Sequence, residues 1–386
     1  MAVLERPLVV VGDTHFSHGG KGDTGRMLAR LVAQYPGAEL VLNGDIFNLS
    51  LDQPARDPIE SSLSMLAPED ELRRALRTHL GAGGRLSVLP GNHDAGLARP
   101  GTRDALLAWL ELGKNAPVEV LPWFLRRGSV HIEHGHAYDP DNAPTHPLVV
   151  PRPDSEPLGV ALTRRFLAPN RAFDFAHATE ITPLAALQRA LRVFGARTPL
   201  LLARYFVTAG RFCGEAGWRP ELAEEKRLGD TLVAGTAREA GLEPERLQAL
   251  LEDRARPTHE SFERAFFRLY FDRVASVLSI GGGVSLGVLA RSVPAFGLAA
   301  LGALYLRESR RKSGNRYAGA PVRRLREASE LVLTHTGASL VVFGHTHVPE
   351  KAPGYLNPGS FTYRAGDGRP YAYVDETGSG SERRIT

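Results

Sequence analysis

The clearest indication of the fold is the segment Leu8-Val9-Val10-Val11-Gly12-Asp13-Thr14-His15, because an apolar, β-branched run ends directly in a carboxylate and an imidazole. Such a run is typical of a buried strand, and open α/β sheets bind ligands at the carboxyl ends of their strands. Four further apolar runs end in the same way, in Gly44-Asp45, Gly91-Asn92-His93-Asp94, His134-Gly135-His136 and Gly344-His345-Thr346-His347. Five such ends predict one sheet edge that gathers oxygen and imidazole ligands for two divalent cations.

Candidate ligands recur two residues apart near both ends of the chain. Asp13 and His15 are expected to share one face of an extended segment, so that they hold one cation together. His345 and His347 have the same spacing, and each can reach a different cation. Asp45 can bridge both cations with its two carboxylate oxygens. A single Asp-x-His is more often a turn aspartate beside a surface histidine, but the full set predicts a binuclear site.

Strand and helix patterns divide the chain. The apolar runs predict strands over Leu8–Val11, Leu40–Leu42, Arg85–Leu89, Val118–Leu121, Val130–Glu133, Ser339–Phe343 and Tyr371–Val374, with helical patterns between most of them. This alternation predicts a layered α/β sheet. A proline-rich exit near residue 145 leads into long helical patterns rich in Ala, Leu and Arg. We therefore expect one metal-binding domain made of residues 1–145 and 321–386, interrupted by a helical insertion over residues 146–320.

Composition narrows the function classes. Hydrophobic residues make up 43% and charged residues 23% of the 386 positions, which is typical of a folded protein. A net charge of +4 is small for this length, so no nucleic-acid partner is expected. Cys213 is the only cysteine, which excludes an intrachain disulfide and a cysteine-based zinc site. The first strand follows Met1 closely without a signal-peptide pattern, so the catalytic part is expected in the cytoplasm.

A resemblance to a known family rests on five motifs: GDTH (12–15), GDIF (44–47), GNHD (91–94), HGH (134–136) and GHTH (344–347). The set resembles the calcineurin-like metallophosphoesterase superfamily and covers residues 8–140 and 330–363. The resemblance implies a double β-sandwich flanked by helices, here interrupted by the large α-helical insertion. It also implies a binuclear metal-dependent phosphoesterase, in which a hydroxide that bridges the metals attacks a phosphate ester or diphosphate. Manganese is the metal that we expect, with iron or zinc as alternatives.

The resemblance also implies roles for individual residues. One metal would be held by Asp13, His15, Asp45 and His347, and the other by Asp45, Asn92, His134 and His345. His93 would contact the phosphate and protonate the leaving group. Asp94 is expected to orient His93 as a catalytic pair, the alternative being a turn or helix-cap aspartate. His18 and His136 are candidate substrate contacts, the alternative for His18 being a solvated loop histidine.

An apolar stretch of 33 residues lies between Arg273 and Arg307, and its only charged residue is Arg291. The basic cluster Arg307–Lys312 follows, so residues 274–312 predict contact with a membrane surface, which would place the protein at the inner face of the membrane. Two crossings would have 17 and 15 residues, about 25 and 23 Å, short of the ~30 Å apolar core of a bilayer. A shallow hairpin or an apolar lid fits better, and the alternative is a helical pair buried in a soluble insertion.

Two segments bear on the substrate. Asn43–Asp52 (NGDIFNLSLD) and His134–Pro140 (HGHAYDP) are similar to UDP-2,3-diacylglucosamine pyrophosphatases. That family commonly has arginine at the position of His93, and its insertion is shorter. The sequence thus predicts a lipid-linked or amphipathic phosphorylated substrate. The alternatives are a soluble phosphodiesterase or nucleotidase that uses the insertion as an oligomer interface, and a non-catalytic scaffold that keeps the fold.

Overall fold

The computed structural model describes residues 3–18, 23–52, 56–153, 155–172, 183–313, 316, 319–362 and 368–386, and only the backbone of residues 183–186. The chain forms two compact units. Unit 1 consists of Met1–Arg164, Pro220–Pro257 and Pro321–Thr386, and unit 2 of Arg165–Arg219 and Thr258–Ala320. The expected domain boundaries at 145/146 and 320/321 stay a prediction.

The strands within the described ranges all belong to unit 1. They are β1 (Leu8–Val11), β2 (Glu39–Asn43), β3 (Arg85–Leu89), β4 (Val118–Val120), β5 (Phe124–Arg127), β6 (Val130–Glu133), β7 (Leu340–Val342), β8 (Glu350–Ala352), β9 (Tyr355–Asn357), β10 (Arg369–Val374) and β11 (Gly380–Ile385). One sheet has the order β11-β10-β1-β2-β3-β4, and the other has the order β5-β6-β7-β9-β8. β1 to β4 run parallel, as do β6, β7 and β9.

The helices that the structure describes are α1 (Thr24–Gln34), α2 (Pro58–Leu66), α3 (Asp70–Gly81), α4 (Thr102–Trp109), α5 (Leu158–Leu162), α6 (Ala168–Asn170), α7 (Pro183–Phe194), α8 (Thr198–Glu215), α9 (Pro220–Glu239), α10 (Pro244–Asp253), α11 (Phe262–Arg268), α12 (Phe271–Leu289), α13 (Val293–Lys312) and α14 (Ala320–Thr336).

Side-chain alternation along the strands builds the layers of unit 1. In β1, Leu8 and Val10 join a core between the two sheets, whereas Val9 and Val11 pack outward against helices that include α1 and α3. The outer face of the second sheet, through Val341, packs against α9, α10 and α14. The predicted double β-sandwich flanked by helices is therefore confirmed.

Unit 2 is helical in the part of the chain that the structure describes. α12 and α13 form a helical hairpin, in which small residues allow a close approach. A Cβ added to Gly283 would lie 2.5 Å from the carbonyl oxygen of Ala295, and one added to Gly287 would lie 2.7 Å from the ring of Phe296. Within the described ranges, α12 is the one helix long and apolar enough to cross a membrane.

Candidate active site

The loops that follow the strands are tied to one another by backbone hydrogen bonds. The amide of Asp13 donates to the carbonyl oxygen of Gly44 over 3.0 Å, and the amide of His15 donates to that of Asp45 over 3.0 Å. The amide of Gly344 donates to the carbonyl oxygen of His134, also over 3.0 Å. The carboxyl ends of β1, β2, β6 and β7 therefore meet at one place, as the sequence predicts.

Five candidate ligands have a left-handed backbone. Their φ angles are 57° for Asp13, 49° for His15, 47° for Asp45, 67° for His345 and 58° for His347. The prediction that Asp13 and His15 lie on an extended segment is therefore wrong, because each strand ends before its ligands and the chain turns sharply there. Non-glycine residues in this region are strained by about 1–2 kcal/mol each, and such strain clusters at functional sites.

The first ligand cluster consists of Asp13, His15, Asp45 and His347, whose ligand atoms all lie within 4.8 Å of one another. His347 Nε2 is 3.0 Å from Asp13 Oδ1 and 3.1 Å from His15 Nε2. One carboxylate oxygen and two imidazole nitrogens thus point at a common centre. This donor set suits a divalent transition-metal ion.

The second ligand cluster consists of Asp45, His134 and His345, again within 4.8 Å. His134 Nε2 lies 3.3 Å from Asp45 Oδ2. Asp45 is common to both clusters, and its carboxylate is buried. This is the position that a bridging ligand of two cations would require.

Hydrogen bonds fix which ring nitrogen of two histidines faces the site. His15 Nδ1 lies 2.9 Å from Asn48 Oδ1, and His134 Nδ1 lies 3.1 Å from the carbonyl oxygen of Asn43. A carbonyl oxygen only accepts, so Nδ1 of His134 carries a proton, and Nε2, which faces Asp45, is the atom that a metal would bind in exchange for a proton.

Unpartnered polar atoms test whether a cation fits. Two buried side-chain atoms here, Asn92 Oδ1 and His345 Nδ1, have no hydrogen-bond partner, and two more, Asp13 Oδ1 and His134 Nε2, lie against other candidate ligands. Buried polar atoms without partners are costly, and oxygen and imidazole nitrogen atoms are common ligands of divalent transition metals. The residues therefore fit the divalent cations that the sequence predicts.

Opposite charges within the site shift the pKa values of its carboxylates and of His134. Burial opposes the charge of Asp45, but the neighbouring histidines, His134 first, hold its pKa well below the usual range. Burial likewise opposes the charge of His134, but Asp45 outweighs it and raises the pKa of His134 to about 9. The pKa of Asp13 is lowered too, because His347 outweighs the effect of burial. The carboxylates therefore stay ionised, as ligands of a cation must.

Comparison with known families agrees with this geometry. The family model described as calcineurin-like phosphoesterase matches residues 6–182. The chain contains a calcineurin-like phosphoesterase domain. This domain indicates a hydrolase that acts on phosphoric esters, and the match supports the predicted superfamily. A comparison with curated proteins found none that matches the chain. His345 and His347 lie beyond the matched residues, so their place in the site rests on the structure.

His93 of the phosphoesterase lies beside the first cluster. Its ring centroid is 5.7 Å from that of His15, and its amide donates to Asp45 Oδ1 over 2.8 Å. His93 Nδ1 lies 2.5 Å from Ser50 Oγ. Burial lowers the pKa of His93 to about 4, although the charge of Asp45 opposes this. His93 is thus close enough to reach a phosphate held by the two clusters.

Asp94 lies next to His93 in sequence but binds backbone amides. Its Oδ2 accepts hydrogen bonds from the amides of Ile46 (2.6 Å) and Phe47 (3.0 Å), and its Oδ1 accepts one from Gly91 (2.6 Å). The hydrogen bonds that the structure describes for this carboxylate do not include His93. The geometry therefore favours the alternative of a turn aspartate, one that holds the loops after β2 and β3 together.

The two candidate substrate histidines differ in position. The ring of His136 is 5.4 Å from that of His134, and His136 and Asn92 line a shallow cleft. His18 instead lies 3.1 Å from Ser61 Oγ and 3.5 Å from Asp52 Oδ1, and it belongs to neither ligand cluster. His136 is thus placed to contact a substrate, whereas His18 has its own partners.

The sequence did not assign roles to several residues that orient the candidate ligands or His93. These are Asn43, Asn48, Ser50 and Asn142. Three of them lie within the segment NGDIFNLSLD, where clustered polar side chains beside Asp45 were the available signal. Asn142 has no such signal, because it follows the HGH motif by several residues in an irregular loop.

Proposed function

We propose that the protein is a binuclear phosphoesterase that hydrolyses a phosphate ester or diphosphate of a lipid-linked or amphipathic substrate, with Mn²⁺ as the first metal to test. The observation that carries the proposal is the pair of ligand clusters that share Asp45. Two further buried atoms of the candidate ligands, Asn92 Oδ1 and His345 Nδ1, have no hydrogen-bond partner. Asp13, His15, Asp45 and His347 would hold one cation, and Asp45, Asn92, His134 and His345 the other.

The chemistry follows from the charge of the reactants. Phosphate esters resist attack by hydroxide because both are anionic. When bound, two divalent cations would neutralise the phosphoryl oxygens and make a water acidic enough to attack near neutral pH. Asn92 contributes a neutral amide, so it adds no charge that would repel the phosphate.

His93 is the candidate general acid, and because burial lowers its pKa to about 4 in the free protein, it would take up its proton when an anionic phosphate is bound beside it. A general acid must lie within hydrogen-bond reach of the leaving oxygen, and His93 lies beside the cluster that contains His15. Ser50 holds the ring through Nδ1, so Nε2 is the atom left to face a substrate. His136, in the wall of the neighbouring cleft, would contact the remainder of the substrate.

The lipid-linked part of the proposal rests on unit 2. We call residues 271–312, which comprise α12 and α13, the arm. Apolar side chains of the arm are exposed on several sides: Leu289 is 84% and Val293 79% exposed, and Val277, Leu278, Leu286, Val288, Leu298, Leu301 and Leu304 are also exposed. This contrasts with the alternative of a helical pair buried in a soluble insertion. A large exposed apolar surface of this kind marks an interaction site.

The base of the arm carries the complementary charge. Arg307, Arg310, Arg311 and Lys312 are exposed at the end of α13. Anionic lipid head groups attract basic residues by about 1 kcal/mol each. The base is also fixed, because Asp272 accepts hydrogen bonds from Tyr305 Oη (2.8 Å) and from both terminal nitrogens of Arg316. The arm therefore combines a rigid apolar hairpin with a basic end.

We propose that an anionic membrane surface, at the inner face of the membrane, covers the arm. From Val293 to Arg307 α13 rises by about 21 Å, less than the ~30 Å apolar core, so the arm would enter from one side and return. A protein held in this way meets phosphorylated lipids at a high local concentration. UDP-2,3-diacylglucosamine is the first substrate to test, because the segments around Asp45 and His134 are similar to its pyrophosphatases.

The catalytic test is Mn²⁺-dependent hydrolysis of a generic aryl phosphate and of UDP-2,3-diacylglucosamine in mixed micelles. Asp45→Ala and His93→Ala are the control variants. Release of UMP by the wild type that is lost in both variants would support the full proposal. Aryl phosphate cleavage without UMP release would keep the phosphoesterase and exclude that substrate. No metal-dependent cleavage of either compound would contradict the catalytic proposal and favour a scaffold.

The membrane test is co-sedimentation with vesicles of neutral phosphatidylcholine, with and without anionic phosphatidylglycerol. We expect binding that depends on the anionic lipid and is lost in a Leu289→Glu/Val293→Glu variant. Leu228→Glu is the matched control, because Leu228 is an exposed leucine of unit 1. Absence of vesicle binding, together with a change of the arm variant from dimer to monomer, would instead support the soluble enzyme with the insertion as an oligomer interface.

A further inference from the structure

A chain of hydrogen bonds runs behind the second ligand cluster. It begins at Asn92, passes through Asn142 and Asp139, and ends at His345. The atoms involved are Asn92 Nδ2 to Asn142 Oδ1 (3.2 Å), Asn142 Nδ2 to Asp139 Oδ2 (2.8 Å), and Asp139 Oδ2 to His345 Nε2 (3.1 Å). Both ends of this chain are candidate ligands of the same cation.

At one end, the chain fixes the amide of Asn92. Because Asn92 Nδ2 donates to Asn142, the other atom of the amide, Oδ1, points away from that partner. Asn92 Oδ1 is buried and has no hydrogen-bond partner. The amide is therefore held with its oxygen, the atom that can bind a metal, away from Asn142 and without a partner of its own.

At the other end, the chain fixes the ring of His345. An ionised carboxylate only accepts hydrogen bonds, so His345 Nε2 must carry the proton that is shared with Asp139. His345 Nδ1 then keeps its lone pair, and this atom is buried without a hydrogen-bond partner. A carboxylate behind a metal-binding imidazole fixes the ring orientation and raises the basicity of the ligand.

The middle of the chain is itself held in place. Asp139 is buried, and the guanidinium of Arg324 lies 3.9 Å from its Oδ1. Asn142 packs against α5 at Gly159, where an added Cβ would lie 2.2 Å from Asn142 Oδ1. Only a residue without a side chain leaves Asn142 this room, so the packing of α5 supports the geometry at Asn92.

We infer that Asp139 and Asn142 are positioning residues for the second cation, acting through His345 and Asn92 respectively. The inference rests on the proposed function, since it needs two cations. It assigns to the HGHAYDP segment a task beyond supplying His134. The first cation has a different support, because His15 is held by Asn48.

The test titrates the metal-free full chain with Mn²⁺ by calorimetry and follows the Mn²⁺ signal by electron paramagnetic resonance. Asp139→Ala and Asn142→Leu are expected to weaken the second Mn²⁺ about 10–100-fold and leave the first unchanged. Asp139→Asn keeps an acceptor for His345 and should lose less. Gly159→Ala should reproduce the effect of Asn142→Leu without changing any polar group. Asn48→Leu is the matched control and should weaken the first Mn²⁺ instead.

Each outcome is decisive. Selective loss of the second Mn²⁺ supports the inference. The electron paramagnetic resonance spectrum should then change from that of two coupled manganese ions to that of isolated ions. Equal loss of both ions, or no loss, would overturn it, since a merely structural role would disturb both clusters alike. If the wild type itself does not bind two Mn²⁺ ions, that result contradicts the proposed function, on which the inference rests. Thermal melts in chelator will identify any variant that does not fold.

Discussion

Ser50 Oγ lies 2.5 Å from His93 Nδ1, and the Ser50 side chain is fully buried. This contact fixes the imidazole ring. Ser50→Ala should therefore lower kcat about tenfold and leave KM unchanged, because the acid remains present but less well oriented. His93→Ala should lower kcat by about 10²–10⁴-fold. Steady-state hydrolysis of an aryl phosphate measures both effects.

A variant that carries both substitutions tests whether Ser50 acts through His93. If Ser50 acts only through His93, then Ser50→Ala should have no further effect in a His93→Ala background. An additive loss in the double variant would show that Ser50 contacts the substrate or a metal independently.

Metal binding and stability should be linked through Asp45. Ligands that bind only the folded state stabilise it, so saturating Mn²⁺ should raise Tm. At 100 times Kd the free energy of unfolding should increase by about 2.7 kcal/mol. Asp45→Asn weakens both clusters at once and should abolish this rise. Differential scanning calorimetry with Mn²⁺ and with chelator measures it. Asp253→Asn, a carboxylate of unit 1 outside both clusters, should keep the full rise.

The central strands were predictable because they are buried on both faces. The predicted bounds of β1, β3 and β6 are the observed ones, since each is an apolar run that ends at a polar motif. Of the four missed strands, β5, β8 and β11 lie at the edges of the two sheets, whereas β9 lies inside its sheet and has only three residues. The edge strands carry sequences such as FLRR and GSERRI, and an edge strand needs no continuous apolar run. The pairing of an edge strand is set by its neighbour and not by its own pattern.

The ligands of the site were predictable from the motifs, but their orientation was not. His345 and Asp139 are 206 residues apart in sequence, and Asn92 and Asn142 are 50 apart. Contacts over such separations depend on how the sheets pack. The left-handed backbone at Asp13 and His15 was also missed, because both residues follow a strand directly and the strand pattern suggests that it continues.

A substitution of Asp94 tests whether this residue holds the loops together or acts in catalysis with His93. Its carboxylate accepts three backbone hydrogen bonds, and an asparagine has only one acceptor oxygen. Asp94→Asn should therefore lower the free energy of unfolding of the metal-free protein by about 3 kcal/mol. Chemical denaturation in chelator measures this. A loss of kcat with unchanged stability would instead support the predicted catalytic pairing with His93.

His146 should make stability depend on pH. The ring is buried, and its Nδ1 accepts a hydrogen bond from the amide of Leu148 over 3.2 Å. Burial, reinforced by the charges of Arg254 and Lys226, lowers its pKa from 6.5 to about 4. The unfolded chain therefore binds the proton more tightly. The resulting stability is fully present above pH 6.5 and is lost as the pH falls toward 4, by at most about 3 kcal/mol.

The measurement for His146 is the free energy of unfolding from pH 7.5 to 4, for the wild type and His146→Asn, both in chelator. Asparagine can still accept from the Leu148 amide but does not titrate, so the stability of the variant should fall less steeply below pH 6.5. Other histidines titrate in both proteins, and the difference between the two profiles removes their contribution. Parallel profiles would contradict the prediction, since they would mean that His146 binds its proton equally well in the folded and unfolded chain.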